Sequence, residues 1–204
     1  AIECSINKIF CSEMLDYVAD EAVQIYGGYG FIQEYSVEQI YRDNRIFRIL
    51  EGTNEINRLL IVQFVMRKAL KNDIPLLAAI ESLKGELPAM KPVSAHARGG
   101  PLAYERALVE RAKKACLLVA GAAVSKYGEA VADEEEILAR ISDIAAEAFA
   151  MASGLLRAAK AIEASGEEAS GLKVDMVRVY VNEAMGRVHD HAVGALAAVY
   201  GGKE

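Results

Sequence analysis

Apolar residues recur every third or fourth position along most of this 204-residue chain, and almost nowhere do they alternate. Steps of three and four place side chains on one face of a helix, whereas a half-buried strand needs a period of two. The chain is therefore expected to be all-α. With 53% apolar and 25% charged residues it has enough greasy surface to bury a sizeable core and too little polarity for disorder.

The first run covers about Ile2 to Tyr26. Ile2, Ile6, Ile9, Phe10, Met14, Tyr17, Val18, Ala22 and Ile25 form its stripe, with Asn7, Lys8, Glu13, Asp16 and Asp20 off it. Gly27-Gly28-Tyr29-Gly30 should end it, because glycine supplies a left-handed cap and a turn. A shorter helix is expected over Val37–Arg48, with Ser36 as N-cap and Gln39 as capping-box partner. A third runs from about Asn54 to Leu70 and a short one from Ile74 to Leu87. Between Gly85 and Pro101, Pro88, Pro92, Gly99 and Gly100 break the periodicity, so a linker belongs there, with His96 in it. Three long patterns follow, near 102–126, 133–164 and 172–200. Leu108, Ala112, Ala115, Leu118 and Ala122 are expected inside the first; Asp133 with Glu136 resembles a capping box for the second; Gly201-Gly202 closes the third. The expected organisation is a helical unit over 1–72, a short helix and linker over 73–102, and an antiparallel bundle over 103–204.

Between the second and third helices lies Ile49-Leu50-Glu51-Gly52-Thr53-Asn54-Glu55. Glu51 stands at a loop-to-helix junction beside Ile46, Phe47, Ile49 and Leu50. Burial among such neighbours raises a carboxyl pKa and suits the group to proton abstraction near neutral pH. The plainer reading makes Glu51 merely the cap of the helix that follows, since acidic residues are common near helix starts.

The net charge of −6 excludes the basic field of a nucleic-acid binder. Cys4, Cys11 and Cys116 are an odd set without metal-ligand spacing; Cys4 and Cys11 sit roughly 10 Å apart along one helix, too far to pair. His189 and His191 point to nearly opposite sides of a helix, so no metal site is expected. Arg42, Arg45 and Arg48 share a face and are best read as ion-pair partners of Glu38, Asp43 and nearby carboxylates. No uninterrupted apolar run reaches membrane-spanning length, and no signal peptide is expected within these residues. Ala1 is not Met and the helical pattern is already running at Ile2, so the chain is expected to begin inside a larger protein.

The blocks Gln24-Ile25-Tyr26-Gly27-Gly28-Tyr29-Gly30-Phe31, Tyr35-Ser36-Val37-Glu38, Tyr41-Arg42-Asp43 and Glu51-Gly52-Thr53-Asn54-Glu55-Ile56, in this order and spacing, resemble the C-terminal helical domain of acyl-CoA dehydrogenases. The stretch from about Pro75 onward more loosely resembles the extra helical domain of the very-long-chain branch. The resemblance implies FAD as cofactor, a fatty acyl-CoA substrate of long chain, and oxidation to trans-2-enoyl-CoA in β-oxidation. It implies that Glu51 removes the α-proton while the β-hydrogen leaves as hydride to the flavin; some branches carry the base on an earlier helix, but this chain keeps the Glu. The thioester carbonyl would be met by a flavin ribityl hydroxyl and the Glu51 N–H, with Gly52 leaving room for it. Gln24, Ile25, Tyr26, Gly27 and Gly28 would touch the FAD of a neighbouring subunit, and Thr53 and Glu55 the FAD of their own. Electron-transferring flavoprotein is the implied acceptor. The second bundle is expected to cover the surface other members use to form tetramers, leaving a homodimer.

Three positions depart from the family pattern. Ser36 replaces a common Pro, Gln39 a common basic residue, and Leu50 an aromatic just before the base. The last bears on chain-length preference or on the surroundings of the base. Membrane attachment by the second bundle is not favoured, since residues 103–204 carry more acidic than basic side chains. Two rival readings remain: an acyl-CoA oxidase-like enzyme, distinguished by peroxide release, and a non-catalytic helical scaffold or membrane tether, distinguished by the absence of flavin. The compartment implied is the cytoplasm of a bacterium or the mitochondrion of a eukaryote.

Overall fold

The structure, a computed structural model, describes residues 2–94 and 99–201. His96 and Gly202 lie outside the described residues. Seven α-helices are described: α1 (Ile2–Tyr26), α2 (Ser36–Asn44), α3 (Asn54–Leu70), α4 (Leu76–Glu86), α5 (Ala103–Tyr127), α6 (Glu135–Ser165) and α7 (Gly171–Tyr200). The contacts divide into two compact units, 1–65 and 66–204, so the division falls inside α3. Each unit is described by itself.

In the first unit α1 ends where glycine permits it: Gly27 has φ +59° and opens a single 3-10 turn, Gly27–Gly30. Tyr26 and Tyr29 then stack their rings against Tyr35, with centroids 6.3 and 5.3 Å apart. The helix expected over Val37–Arg48 stops at Asn44 and tightens into a 3-10 turn over Arg45–Arg48. Ser36 is not its N-cap. Tyr35 holds that position in extended backbone and caps with no side chain. Of the Arg triplet, Arg42 pairs with Glu38 at 2.6 Å and Arg48 crosses to Asp16 of α1 at 3.0 Å.

The core of this unit is small and partly polar. Ile6, Ile9, Ala19, Val37, Ile61 and Val62 are buried together with Ser5, Ser12, Asn44, Asn54 and Asn57. The expected stripe of α1 is split accordingly. Its first half is inside, but Met14, Tyr17, Val18 and Ile25 are exposed. Periodicity gives the face of a helix; it does not say that the same chain covers all of that face.

In the second unit α5, α6 and α7 pack against one another and α4 packs on α5. The segment read as short helix and linker thus contributes to a core, through buried Ile80 and Leu83. The α5 face is turned from the expected one: Leu118 is exposed, while Leu108, Val109, Ala112, Val119 and Ala123 are buried. Residues 115–124 of α5 are apolar or glycine on every side, so that half has no unique stripe and its neighbours choose the face. The segment Ala103–Asp133 is long and apolar enough to cross a membrane by length and composition alone, contrary to the reading of the sequence. It packs against α6 and α7, yet only 17% of that apolar window is buried. At the start of α6 the Asp133/Glu136 capping box is absent; Asp133 ends a 3-10 turn and Glu134 takes the N-cap position without a side-chain bond.

Between α6 and α7 one polar cluster is well built. The Tyr180 hydroxyl donates to Glu147 at 2.7 Å, and the Arg187 guanidinium donates to both oxygens of the same carboxylate, at 2.5 and 3.1 Å. Burial, with the Glu147 charge behind it, pushes the Tyr180 phenol well above its usual range.

Candidate active site

The junction between the 3-10 turn and α3 is held in an unusual backbone conformation. Glu51 has φ +55° and Gly52 φ +79°. Only Asn72 shares a positive φ with Glu51 among the described non-glycine residues. The left-handed region costs a residue with a Cβ about 1–2 kcal/mol, so the surroundings must enforce it.

They do so from two sides. Thr53 caps α3, its hydroxyl oxygen accepting the Ile56 N–H at 3.2 Å. Thr53, rather than Glu51, is therefore the helix cap, which removes the plainer reading of Glu51. On the other side α1 supplies Lys8, Ser12 and Glu13. The Lys8 ammonium donates to the Gly52 carbonyl at 2.9 Å and to Asn54 Oδ1 at 2.5 Å. Asn54 Nδ2 donates to Ser12 Oγ at 2.9 Å and Glu13 Oε1 at 3.0 Å. Arg58 pairs with Glu13 at 2.8 Å, and Asn57 Nδ2 gives the Gly52 carbonyl a second donor at 2.9 Å.

The Glu51 side chain lies on the lip of an open groove of about 380 Å³, lined by Lys8, Cys11, Ser12, Leu15, Phe47 and Leu50. The expected burial of Glu51 is not supplied by this chain. Glu51 is exposed, and Ile46, Phe47, Ile49 and Leu50, which should have covered it, are each about half exposed. Of these, Phe47 and Leu50 instead line an apolar groove together with Glu51. Among the described residues the Glu51 N–H donates to nothing, which leaves a backbone donor beside the carboxylate.

Glu55 is exposed on the first turn of α3. Its own backbone N–H does most to hold its carboxyl below the usual range; desolvation opposes this, and the Thr53 hydroxyl, Arg58 and Lys8 add to the lowering. Gln24, Ile25, Tyr26, Gly27 and Gly28 are all exposed, and a Cβ added at Gly27 or Gly28 would meet nothing within 4 Å. The structure thus brings Glu51, Gly52, Thr53 and Glu55 into one short stretch, while the glycine turn forms a separate open surface at the other end of α1.

Sequence reasoning missed Lys8, Ser12, Glu13, Asn54 and Asn57. Their only signal was weak: Lys8 and Ser12 are four apart on α1, and two Asn residues stand in the first turn of α3, where a helix start tolerates them. Asn57 bonds locally to the Gly52 carbonyl, but Lys8, Ser12 and Glu13 meet Gly52 and Asn54 across more than forty residues, so no local pattern joins them.

Two models described as "Acyl-CoA dehydrogenase, C-terminal domain" match residues 1–66 and 111–204, and together take in most of the chain. The chain belongs to the acyl-CoA dehydrogenase family, of which it carries the C-terminal helical domains. A probable acyl-CoA dehydrogenase of Bacillus subtilis (strain 168) is 48% identical over 199 residues, covering 98% of this chain and 33% of that protein. The mitochondrial very long-chain specific acyl-CoA dehydrogenase of Mus musculus is 36% identical over 177 residues, covering 79% of this chain and 27% of that protein. A crystal structure of an acyl-CoA dehydrogenase complexed with FAD from Bacillus anthracis superposes with a TM-score of 0.94 at 48% identity, over 99% of this chain and 34% of that one. The chain spans about a third of the length of these relatives.

Proposed function

We propose that this chain supplies the catalytic base and part of the flavin cradle of an FAD-dependent acyl-CoA dehydrogenase, which oxidises a long-chain fatty acyl-CoA to its trans-2-enoyl-CoA. The observation that carries the reading is Glu51 itself. It is an acid held at a positive φ on the edge of an apolar groove, with its own N–H unengaged.

Each part has a task in that chemistry. The α-carbon of a thioester is a weak acid, so its proton needs a carboxylate in reach and a site from which water is excluded. Glu51 is the carboxylate. Its free N–H can meet the carbonyl oxygen where negative charge develops. Leu15, Phe47 and Leu50 offer an apolar wall to the acyl chain, and Gly52 presents no side chain to hinder the thioester. Exclusion of water falls to parts of the enzyme beyond this chain, because the groove is open here.

The residues present fit FAD. The exposed turn at Gly27 and Gly28 lets a ligand approach the backbone, with Gln24, Ile25 and Tyr26 flanking it, toward the FAD of a second subunit of a homodimer. Thr53 and Glu55 offer a hydroxyl and a carboxylate at the helix start to the FAD of their own subunit. When bound, the flavin would accept the β-hydride and pass electrons on to electron-transferring flavoprotein.

The test is Glu51→Gln in the complete subunit. FAD should remain bound while reduction of the flavin by acyl-CoA is lost. Bleaching at the normal rate in that variant overturns the assignment. A series of acyl-CoAs of rising length, read by the same bleaching, checks the preference for long chains.

A further inference from the structure

We infer that Lys8 is a positioning residue for proton abstraction: its ammonium holds the Gly52 carbonyl and Asn54 so that the backbone keeps Glu51 in its strained, productive conformation. The inference rests on Glu51 being the base.

The geometry carries it. Two donors converge on the Gly52 carbonyl, the Lys8 ammonium and the Asn57 amide, each at 2.9 Å. That carbonyl lies one residue beyond Glu51, and both residues have positive φ. Asn57 sits in the first turn of α3, on the same segment as the carbonyl, so it can only tie the loop to its own helix. Lys8 is different. It lies on α1, 44 residues away in sequence, and among the described residues it alone links the Gly52 backbone to another element. The same ammonium takes Asn54 Oδ1, and Asn54 is anchored in turn by Ser12 and Glu13 of α1. An ammonium has three protons, and two are spent on this one loop. Lys8 and Ser12 are one helical turn apart, so α1 meets the loop with a single rigid face. Lys8 also lines the groove at whose edge Glu51 stands.

A side chain that only stabilised the fold would not need to reach a carbonyl next to the base. Reaction rate depends steeply on where the abstracting oxygen sits, and a misplacement of about 1 Å costs on the order of a hundredfold. Without Lys8, the Gly52 carbonyl keeps one donor, Asn54 loses an acceptor bond, and Glu51 is free to relax toward the right-handed region that its Cβ prefers.

The test uses the complete subunit with FAD bound, in rapid-mixing measurements of flavin reduction by acyl-CoA. Lys8→Met is expected to lower the rate constant per bound flavin by about tenfold to a hundredfold, with an apparent affinity for acyl-CoA changed by less than about threefold. Lys8→Arg, which keeps charge and donors, should restore the rate to within several-fold. A merely structural lysine predicts a different result: less bound flavin or a lower melting temperature, but an unchanged rate per flavin. That result overturns the inference. Should Lys8→Met not accumulate as folded protein, Asn57→Ala decides, since it removes the other donor from the same carbonyl. It should show the same loss of rate at near-constant affinity, and an unchanged rate per flavin overturns the inference equally. Glu51→Gln runs alongside. If that variant keeps its rate, the base reading itself fails; if it is dead while the Lys8 and Asn57 variants are normal, the base stands and the positioning role falls.

Discussion

Thr53 shows how one side chain can serve both the fold and the site. Its oxygen accepts the Ile56 N–H and so starts α3, while its hydroxyl also engages the Glu55 carboxyl. Thr53→Ser should keep both contacts. Thr53→Val should lose them and cost about 1 kcal/mol of stability, seen as a lower denaturant midpoint. If Thr53→Val unfolds at the wild-type midpoint, the cap contributes nothing. A second expectation at this scale concerns thiols. Cys4, Cys11 and Cys116 are all free, but burial pushes the Cys116 thiol up to about 12. The thiolate is the reactive form, and at pH 8 roughly one Cys116 in ten thousand would carry it. Native alkylation at pH 8, followed by peptide mapping, should therefore leave Cys116 unmodified until the protein is unfolded. Rapid native labelling of Cys116 would show that the α5–α6 packing around it is open.

At the scale of elements, the bonds across Glu147, Tyr180 and Arg187 join α6 to α7 more specifically than their apolar faces do. They also make a pH prediction with a definite sign. The folded state raises the Tyr180 phenol above its unfolded value, so it favours the neutral form. The stabilisation is fully present below about pH 10, the unfolded value, and is lost as pH climbs from there toward the folded one. Tyr180→Phe should cost about 1 kcal/mol at pH 8 and flatten the fall in stability between pH 9 and 11. Denaturant melts at the two ends of that range measure it; an equally steep fall in the variant would assign the alkaline loss to other groups. This cluster also marks what a sequence can and cannot disclose about elements. The extents of α1, α3 and α7 were legible because long periodic runs ended at glycine or at a loop. The end of α2 at Asn44 was not, since the apolar spacing continues into the 3-10 turn and only backbone tightening separates them. Nor was the inward face of α5, where Leu118 and Val119 are equally greasy and the packing of α6 and α7 selects Val119. The site divides along the same line. Glu51, Gly52 and Thr53 were visible as a contiguous block, whereas Lys8 was only one polar residue beside a stripe. Its role depends on a contact between distant segments, which the tertiary fold alone creates.

For the whole molecule, the decisive quantity is the apolar surface left uncovered on the first unit. Ile25 and Phe31 are each 81% exposed and Tyr17 is 66% exposed, with Met14, Val18, Tyr29, Ile40 and Ile46 adding to them. Single exposed apolar residues are ordinary, but so many on 65 residues amount to a surface that water does not favour. The stripe of α1 predicted burial for Met14, Tyr17, Val18 and Ile25, and the sequence logic is sound if something beyond this chain covers them. In the proposed enzyme, other parts of the subunit and of a second subunit would do so. Produced by itself, the chain should therefore bind a hydrophobic dye and self-associate as its concentration rises. Tyr17→Lys combined with Val18→Lys should reduce both effects while shifting the denaturant midpoint little, because exposed positions contribute only about 0.5 kcal/mol each. In the complete subunit the same pair should do the opposite and lower flavin content and assembly, since there the lysines would be forced into an apolar contact. A chain that stays monodisperse and dye-negative alone, or a complete subunit indifferent to both lysines, would mean that the exposed half of the α1 stripe is a solvent face after all.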